Sequence, residues 1–563
     1  MRLTSLRRLI LLLLGLALIA GADAGNEPPP QARLIPQGDA WTPAQRDVYA
    51  QIDQGSRLIP LAWLTALRQA DGTPFLADHL ARHGFLPGPM PSGGVGLPRG
   101  FSVAPTPDGP VAGLTCAACH TREIVAGGAQ WRIEGGPAFI DFQGFLADLD
   151  GSVHRVLATD AAFAAFAGRA LGASTTPSTV AALHDAVRLW SLRFHTWLGA
   201  LPEQAWGPAR LDAFSMIFNR LAVLDVGAPR SYLIPANVEK ADAPARFPFL
   251  WTSPFQDKTD WAGFADNGND RYALARNIGE VMGVFAIFHP HSSPAGAALD
   301  RDYLADTSVN FHGLAELESM VVALKPPRWP WPVDGALAAR GKAVFDLSTE
   351  RGGCVDCHGE HPGASRGPRP TFATPVLDVG TDSRMWDILQ RSVQTGSMTG
   401  AALPGIAGPL RETDSAANLL KTSVIGMLIE LDRAEPGAAA KPMHPEAVAG
   451  AVRMPGAGTG RNAYEARVLH GIWAAAPYLH NGSVPTLADL LKPAGSRPRR
   501  FAVGPVYDLA KVGLAETQEP GTFTLKTTDC ADRDSGNSRC GHDFGTRLPN
   551  DDKRALLEYL KTL

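Results

Sequence analysis

The chain has 563 residues, of which 45% are hydrophobic and 19% are charged, and its formal net charge is −4. These values are typical of a globular protein, and the length is sufficient for roughly two to four domains. No strongly basic run follows the N-terminal segment, so composition and charge do not point to a nucleic-acid partner.

The N-terminus predicts an export signal over residues 1–24. Three arginines precede an unbroken apolar run from Leu9 to Ala20, and an Ala-Asp-Ala cleavage site ends at Ala24. This run is too short to cross a bilayer, and no later segment reaches the ~18 apolar residues that a spanning helix needs. We therefore expect cleavage after Ala24, no membrane anchor, and a mature protein that is periplasmic or secreted.

Helical patterns dominate the N-terminal half. A helix is predicted to begin at Pro43 with Thr42 as its N-cap, and residues 140–235 are predicted to be mostly helical. Few segments alternate as strands do, which predicts little β-structure. Three histidines that fall on the predicted helices are interpreted as surface or packing residues rather than as iron ligands: His154, His184 and His195.

Two c-type haem attachment motifs are present, Cys116-Ala-Ala-Cys119-His120 and Cys354-Val-Asp-Cys357-His358. Cysteines one helical turn apart can each form a thioether with a haem vinyl group, and the adjacent histidine then supplies the proximal nitrogen to iron. A bare cysteine pair could also be half of a zinc site or a redox pair, but two adjacent histidines favour haem. We therefore expect two covalently bound haem c groups.

An aromatic segment and a proline-rich segment lie between the two motifs. The aromatic segment runs from Trp251 to Phe264, and the proline-rich segment Pro326-Pro-Arg-Trp-Pro-Trp-Pro332 predicts a stiff linker. The predicted organisation beyond the signal is an N-terminal extension over 25–96, a first haem domain over 97–325, the linker over 326–332 and a second haem domain over 333–563.

The sixth coordination position of each iron decides its role, because a filled position suits electron transfer and an open one suits peroxide or dioxygen chemistry. His542 precedes the last helix, and Cys530 and Cys540 are predicted to form a disulfide that closes its loop. His542 is therefore the expected distal ligand of the second haem. The first motif has no comparable ligand loop, so its iron is expected to stay open. The rival ligands are His480, Met398 and Met454.

The stretch from Tyr464 to Leu487 resembles the signature of the bacterial di-haem cytochrome c peroxidase superfamily. Within it, Tyr478-Leu-His-Asn-Gly-Ser-Val-Pro485 together with Gly541-His-Asp-Phe-Gly545 is similar to the branch of the di-haem rubber oxygenase and related fatty-acid dioxygenases. The resemblance extends from about Leu97 to Leu563. It implies a mainly α fold with two c-type cytochrome domains, long irregular loops and little β.

The resemblance also implies roles for individual residues. His120 would be the proximal ligand of the active haem, and His358 and His542 would both ligate the second haem. The aromatic segment would line the distal pocket of the first haem, although core packing is the alternative role for its side chains. The catalytic candidates are, in order, Trp261, Trp251 and Phe264.

Three functions follow as hypotheses. The first is oxygenation of an unsaturated lipid or isoprenoid at the N-terminal haem, with dioxygen or peroxide as oxidant. The second is a peroxidase that reduces hydrogen peroxide with electrons from a small periplasmic cytochrome. The third is an electron-transfer cytochrome only. After His120 the sequence lacks the acid-bearing loop of the ordinary peroxidases, which favours the oxygenase.

Overall fold

A computed structural model describes residues 32–89, 96–294, 297–366, 369–403, 408–435 and 462–563. The predicted export signal and its cleavage site lie outside the described residues, and so does Met454. Within these ranges, no single helix is long and apolar enough to cross a membrane. Among the described helices, Phe142–Leu157 and Asp160–Ser174 are long and apolar enough only when taken together, and the two are bent by 111° relative to each other.

The α-helices of the described residues have between 4 and 22 residues each. In chain order they are α1 Pro43–Gln51, α2 Leu61–Ala66, α3 Cys116–Cys119, α4 Phe142–Leu157, α5 Asp160–Leu171, α6 Pro177–Leu198, α7 Ala213–Leu224, α8 Asp270–Gly283, α9 Phe311–Ala323, α10 Gly335–Phe345, α11 Val355–His358, α12 Arg384–Leu389, α13 Ala416–Ala434, α14 Leu487–Leu490 and α15 Asn550–Leu560.

The strands have two to six residues each. They are β1 Arg33–Leu34, β2 Ile59–Pro60, β3 Phe101–Ala104, β4 Val111–Leu114, β5 Thr121–Ala126, β6 Ala129–Glu134, β7 Arg210–Leu211, β8 Ala245–Arg246, β9 Lys258–Thr259, β10 Ala265–Asp266, β11 His291–Ser292, β12 Arg301–Asp302, β13 Pro362–Arg366, β14 Arg369–Phe372, β15 Val376–Leu377, β16 Ser392–Gln394, β17 Thr413–Ser415, β18 Tyr464–Glu465, β19 Arg500–Ala502, β20 Tyr507–Asp508, β21 Gly513–Leu514 and β22 Thr524–Lys526.

The expectation of a mainly α fold with little β is wrong. The part of the chain that the structure describes is 38% helical and 16% strand, which is a mixed architecture. Two sheets have three strands, ordered β1-β6-β5 and β2-β4-β3, and the other described strands pair in twos. Backbone polar groups in long connections need partners, and short paired strands supply them. Segments of two to four residues are too short for their alternation to be recognised in the sequence.

Helix α1 begins as its sequence predicts. The side chain of Thr42 accepts a hydrogen bond from the backbone N–H of Gln45, the Gln45 side chain accepts one from the backbone of Thr42, and Pro43 occupies the first helical position. This reciprocal pairing satisfies amide groups that the first turn leaves free. The predicted cap at Thr42 is thus confirmed.

Three clusters of buried apolar side chains form the core. One joins α7, α8, α12 and α13. A second joins α2 with α4, α5 and α6. The third joins α9, α10 and α15 with residues 472–478. The first and third clusters contain residues from both sides of the segment 326–332, and the domain boundaries given above stay a prediction.

The proline-rich segment is packed against this third cluster. Trp473 lies within 6 Å of both Trp329 and Trp331, measured between ring centroids, and its indole N–H donates to the carbonyl of Pro327 at 2.9 Å. Helices α10 and α15 also approach each other closely. A Cβ at Gly341 would lie 1.9 Å from the carbonyl oxygen of Ala555, so only glycine permits this contact.

Candidate functional site

The residues of the second motif line the largest of the three cavities considered below, which we call the larger cavity. Its volume is about 180 Å³, against roughly 10–15 Å³ for a single water on the same measure. Cys354, Cys357 and His358 lie on one side of it, and His542 reaches it from the loop ahead of α15. The imidazole centroids of His358 and His542 are 6.1 Å apart.

His358 is held in one orientation by the backbone. Its Nδ1 donates to the carbonyl oxygen of Arg467 at 2.7 Å, which leaves Nε2 as the free nitrogen. Metal-bound histidines are usually fixed in this way by a second contact. Burial lowers the pKa of His358, so the ring is neutral and its free nitrogen can bind a metal at neutral pH.

The loop of His542 is fixed on several sides. The Cys530–Cys540 disulfide closes it, as predicted. Arg497 donates to three of its carbonyls, those of Arg539 and Gly541 at 2.7 Å and that of His542 at 3.0 Å. Gly541 packs so closely that a Cβ there would lie 2.3 Å from the backbone nitrogen of Thr381. Burial, with a smaller effect from His358, lowers the pKa of His542 to about 3.

The rival ligands are placed less favourably. His480 also lines the larger cavity, but its Nε2 lies 2.9 Å from a carboxylate oxygen of Asp382 and its ring stacks on Tyr464 at 3.8 Å. Met398 is fully buried in the first core cluster and is absent from the lining of the larger cavity. Of these side chains, His542 is the one placed opposite His358.

Two buried arginines at the larger cavity each have a hydrogen-bond donor without a partner, although Arg467 also pairs with Glu465 at 3.1 Å. The guanidinium groups of Arg246 and Arg467 lie 4.7 and 4.9 Å, respectively, from the ring centroid of Trp261. Each has an Nη1 that is buried and has no hydrogen-bond partner among the described residues. A buried cation with a free donor needs an anionic partner. Haem carboxylates are anions of the kind that would satisfy both groups.

The first motif lines a smaller cavity, of about 60 Å³, which we call the His120 cavity. Cys116 and His120 lie at its edge. The Nδ1 of His120 donates to the carbonyl of Pro248 at 2.9 Å, so this ring is fixed by a backbone carbonyl just as His358 is. Burial lowers the pKa of His120 to about 4. The neutral imidazole again has one nitrogen free for a metal.

The side chains beside His120 are mainly charged. Arg276 pairs with Glu318 at 2.5 Å, whereas Glu280 lies 3.7 Å from Arg276. Desolvation by the surrounding protein raises the pKa of Glu280 to about 7, and Arg276 offsets this only in part, although the side chain of Glu280 is 47% exposed. Burial also raises the pKa of Asp260. No second histidine and no methionine is among the described residues that line this cavity.

An apolar cavity adjoins the His120 cavity. It measures about 50 Å³ and shares Asp260, Arg276 and Glu280 with its neighbour, together with Thr259. Its remaining lining is largely apolar and includes Phe214, Ile217, Phe264, Ala275, Leu420 and Val424. The polar cavity beside His120 is therefore separated by shared side chains from a space suited to an apolar molecule.

The three aromatic candidates have different surroundings. Phe264 lines the apolar cavity that adjoins the His120 cavity. Trp261 instead lines the larger cavity, where its indole N–H donates to the carbonyl of Arg246 at 3.2 Å. Trp251 is buried against Phe249, donates to the carbonyl of His470 at 2.7 Å, and lines neither cavity. The catalytic roles given to these residues stay predictions.

The chemistry of the cysteines fits haem attachment better than the alternatives. Burial raises the pKa of Cys116, Cys119 and Cys354 to about 12. Zinc binding and thiol redox chemistry both need the thiolate, which these surroundings disfavour, whereas a thioether carries no charge. Together with the histidines and the free guanidinium donors of Arg246 and Arg467, the donor set fits haem c. Cys116, Cys119 and His120 would hold one group, and Cys354, Cys357, His358 and His542 would hold the other.

Comparison with known proteins agrees with the geometry of the larger cavity. Residues 463–502 match a protein family described as RoxA-like, cytochrome c-like. This stretch supplies Tyr464, Arg467, Tyr478 and His480 to the lining of the larger cavity. The match therefore falls on the chain segment that surrounds the second attachment motif.

Two similar proteins come from Sinorhizobium fredii (strain NBRC 101917 / NGR234). Uncharacterized protein y4iJ is 30% identical over 589 aligned residues, which cover 93% of this chain and 92% of that protein. The chain belongs to the family of y4iJ. Uncharacterized protein y4iM is 31% identical over 257 residues, or 42% of this chain and 51% of that protein. The chain is therefore a member of the y4iJ family and contains a RoxA-like, cytochrome c-like segment. This segment implies haem c and indicates a haem-dependent oxidoreductase.

The sequence did not single out Glu280 or the arginine pair. Glu280 lies in α8, 160 positions after His120, in no recognisable motif. The sequence gives one indication of a contact between Arg276 and Glu280, because residues four apart lie on the same face of a helix. Nothing in the sequence indicated Arg246 and Arg467, since only the fold brings both of them against the ring of Trp261.

Proposed function

We propose that this protein is an exported di-haem c oxidoreductase in which the first haem reacts with the oxidant and the second transfers electrons. One observation carries the proposal. Two neutral imidazoles face each other across the larger cavity, whereas His120 faces charged side chains and no second histidine among the described lining residues. A filled and an open coordination position suit electron transfer and oxygen chemistry, respectively.

The reaction we propose is oxygenation of an unsaturated lipid or isoprenoid by dioxygen or peroxide. The RoxA-like match and the resemblance to the rubber oxygenase branch support this choice. So does the apolar cavity that contains Phe214 and Phe264, whose rings meet edge to face at 5.2 Å. These side chains would orient an alkene and exclude water, while the haem, when bound, would supply the redox chemistry.

A peroxidase is the second candidate, and Glu280 favours it. A carboxyl group with a pKa near 7 can accept and return a proton at neutral pH, which is what peroxide reduction requires of a nearby side chain. In this case a small periplasmic electron-transfer protein would be the partner of the second haem. Under this hypothesis, Glu280 would take the role of the acid group that the sequence lacks in a loop after the first motif.

The test begins with the mass of the mature protein, which should exceed the polypeptide mass by two haems. Replacing Cys116 and Cys119 together by alanine should remove one haem, and replacing Cys354 and Cys357 should remove the other. A single haem in the unmutated protein would contradict the proposal. N-terminal sequencing of the exported protein should start at Gly25.

The reaction is then tested by oxygen uptake. The purified holoprotein is screened with unsaturated fatty acids, isoprenoids and aromatic alkenes, and in parallel with hydrogen peroxide and a reduced small cytochrome. Oxygen consumption with an alkene supports the oxygenase, and peroxide turnover without it supports the peroxidase. If cyanide binds to neither haem, both candidates fall and electron transfer alone remains.

A further inference from the structure

Two histidines and an aspartate meet where α4 packs beside α6. Asp150 and His154 are four residues apart on α4, which places them on one helical face, and His195 comes from α6. One ligand atom from each side chain lies within 4.8 Å of the other two. None of the three lines the larger cavity, the His120 cavity or the apolar cavity.

The carboxylate of Asp150 pairs with the imidazole of His195 and lies beside that of His154. The Nδ1 of His195 lies 2.9 Å from Oδ2 of Asp150, and the Nδ1 of His154 lies 3.3 Å from Oδ1. The two rings meet edge to face, with centroids 4.7 Å apart. The side chains of His154 and His195 are 47% and 64% exposed. Solvent therefore reaches both imidazoles, although the carboxylate beneath them is sheltered.

The carboxylate is incompletely satisfied. Asp150 is only 9% exposed, and its Oδ1 is buried without a hydrogen bond from any described residue, because the Nδ1 of His154 donates instead to the backbone carbonyl of Asp150 at 3.0 Å. A buried carboxylate oxygen without a partner is costly. A cation held between the three side chains would satisfy it. This orphaned oxygen is an observation independent of the clustering itself.

We propose that Asp150, His154 and His195 form a binding site for one zinc ion. Two imidazole nitrogens and one carboxylate oxygen are a donor set that zinc accepts, with bonds of about 2.0–2.2 Å and a fourth position for water. Donor atoms around such an ion lie roughly 3.3 Å apart, close to the two Asp150–histidine distances. The side chains of the two exposed histidines can change rotamer to bring all three donor atoms to this spacing.

Zinc at this position would join two helices that the chain connects only through α5. Because the ion would bind the folded state alone, it should raise the unfolding temperature in proportion to its concentration and affinity. Neither attachment motif contributes a ligand, so the site does not rest on the proposed function. Loss of zinc should leave the optical spectra of both haems unchanged.

The experiment uses the mature holoprotein, freed of zinc by a chelator and titrated with zinc chloride in a calorimeter. We expect one zinc ion per chain in addition to the iron. His195→Ala and His154→Ala should each weaken binding at least tenfold and abolish the zinc-dependent rise in unfolding temperature. His195 is largely exposed, so its removal should leave folding intact, which an unchanged haem spectrum would verify.

His312→Ala is the matched control, because His312 is 73% exposed on α9 and pairs only with Glu435 among its described ionic contacts. Its removal should leave zinc affinity unchanged. Asp150→Asn tests the third ligand by keeping the shape of the side chain while removing its charge. The proposal is overturned if the unmutated protein takes up no zinc, or if His195→Ala binds zinc as tightly as the unmutated protein.

Discussion

His358 and His542 face each other across the larger cavity, with ring centroids 6.1 Å apart and planes inclined by 47°. An iron held midway, about 2 Å from one nitrogen of each ring, requires centroids roughly 6 Å apart. The two residues are 184 positions apart in the chain. The imidazole of His358 donates to the backbone carbonyl of Arg467, whereas the side chain of Arg497 donates to the backbone carbonyl of His542.

His542→Ala should therefore convert one haem per chain from six-coordinate low-spin to five-coordinate or water-bound high-spin. Electron paramagnetic resonance and the optical spectrum measure this change. Because an iron–histidine bond contributes to folding, the variant should also unfold at a lower temperature. Cyanide binding at the first haem should persist.

His480→Ala is the control for this prediction. His480 lines the same cavity but pairs with Asp382, so the low-spin signal should survive its removal. If His542→Ala left both haem spectra unchanged while His480→Ala altered one of them, the ligand assignment would have to be reversed.

The parts of the site that depend on local sequence were predictable. The attachment motifs, the cap at Thr42 and the Cys530–Cys540 disulfide each depend on residues close together in the chain, and the structure confirms the cap and the disulfide. The short strands were missed because two to six residues carry too little pattern.

The groups that surround the motifs were not predictable, since they come from distant parts of the chain. Pro248 supplies the carbonyl that orients His120, 128 positions away. Glu280 reaches the same cavity from α8. Nothing in the local sequence of either residue distinguishes it from an ordinary proline or an ordinary helical glutamate, and only tertiary packing gives them a role.

Glu280→Gln should lower peroxide turnover by roughly 10²–10⁴-fold, the range for loss of a general acid–base group. A raised pKa of about 7 means that the carboxylate form, which accepts a proton, predominates only above neutral pH. In the unmutated protein the rate of peroxide turnover should therefore rise with pH through about 7. This rise should be absent in Glu280→Gln. Stopped-flow kinetics at several pH values measures both effects.

Glu316→Gln is the matched control for the same charge change. Glu316 lies exposed on α9, so its removal should leave peroxide turnover and its pH profile unchanged. Cyanide should still bind to Glu280→Gln, which would show that the haem site remains intact. Equal turnover in the two variants would exclude a catalytic role for Glu280.

Replacing Cys530 and Cys540 together by serine should lower the free energy of unfolding by roughly 3 kcal/mol, as the chain-entropy estimate gives for a loop of about ten residues. Urea unfolding monitored by circular dichroism measures the loss. The oxidised, denatured parent protein should contain no free thiol, because the other four cysteines are expected to carry haem. Two titratable thiols per chain would contradict both the disulfide and its stabilising role.

Asp212 should give the stability of the protein a pH dependence that is independent of the haem ligands. Its carboxylate caps α7, accepting from the backbone N–H of Ser215 and, through its other oxygen, from that of Ala243, both at 2.9 Å. Burial nevertheless raises its pKa to about 6, and these hydrogen bonds offset the effect only in part. The folded protein thus binds a proton more tightly at this position than the unfolded chain does.

The sign follows from linkage. Between pH 4 and pH 6 the folded state holds more protons than the unfolded state, so the contribution of Asp212 to stability is complete below the unfolded pKa and is lost as pH rises through about 6. The loss amounts to roughly 3 kcal/mol at most, since each pKa unit corresponds to about 1.4 kcal/mol. Asp212→Asn cannot ionise. Urea unfolding of this variant at pH 4.5 and pH 7 should show a smaller fall in stability than the unmutated protein, whereas an identical fall would show that Asp212 does not titrate in this range.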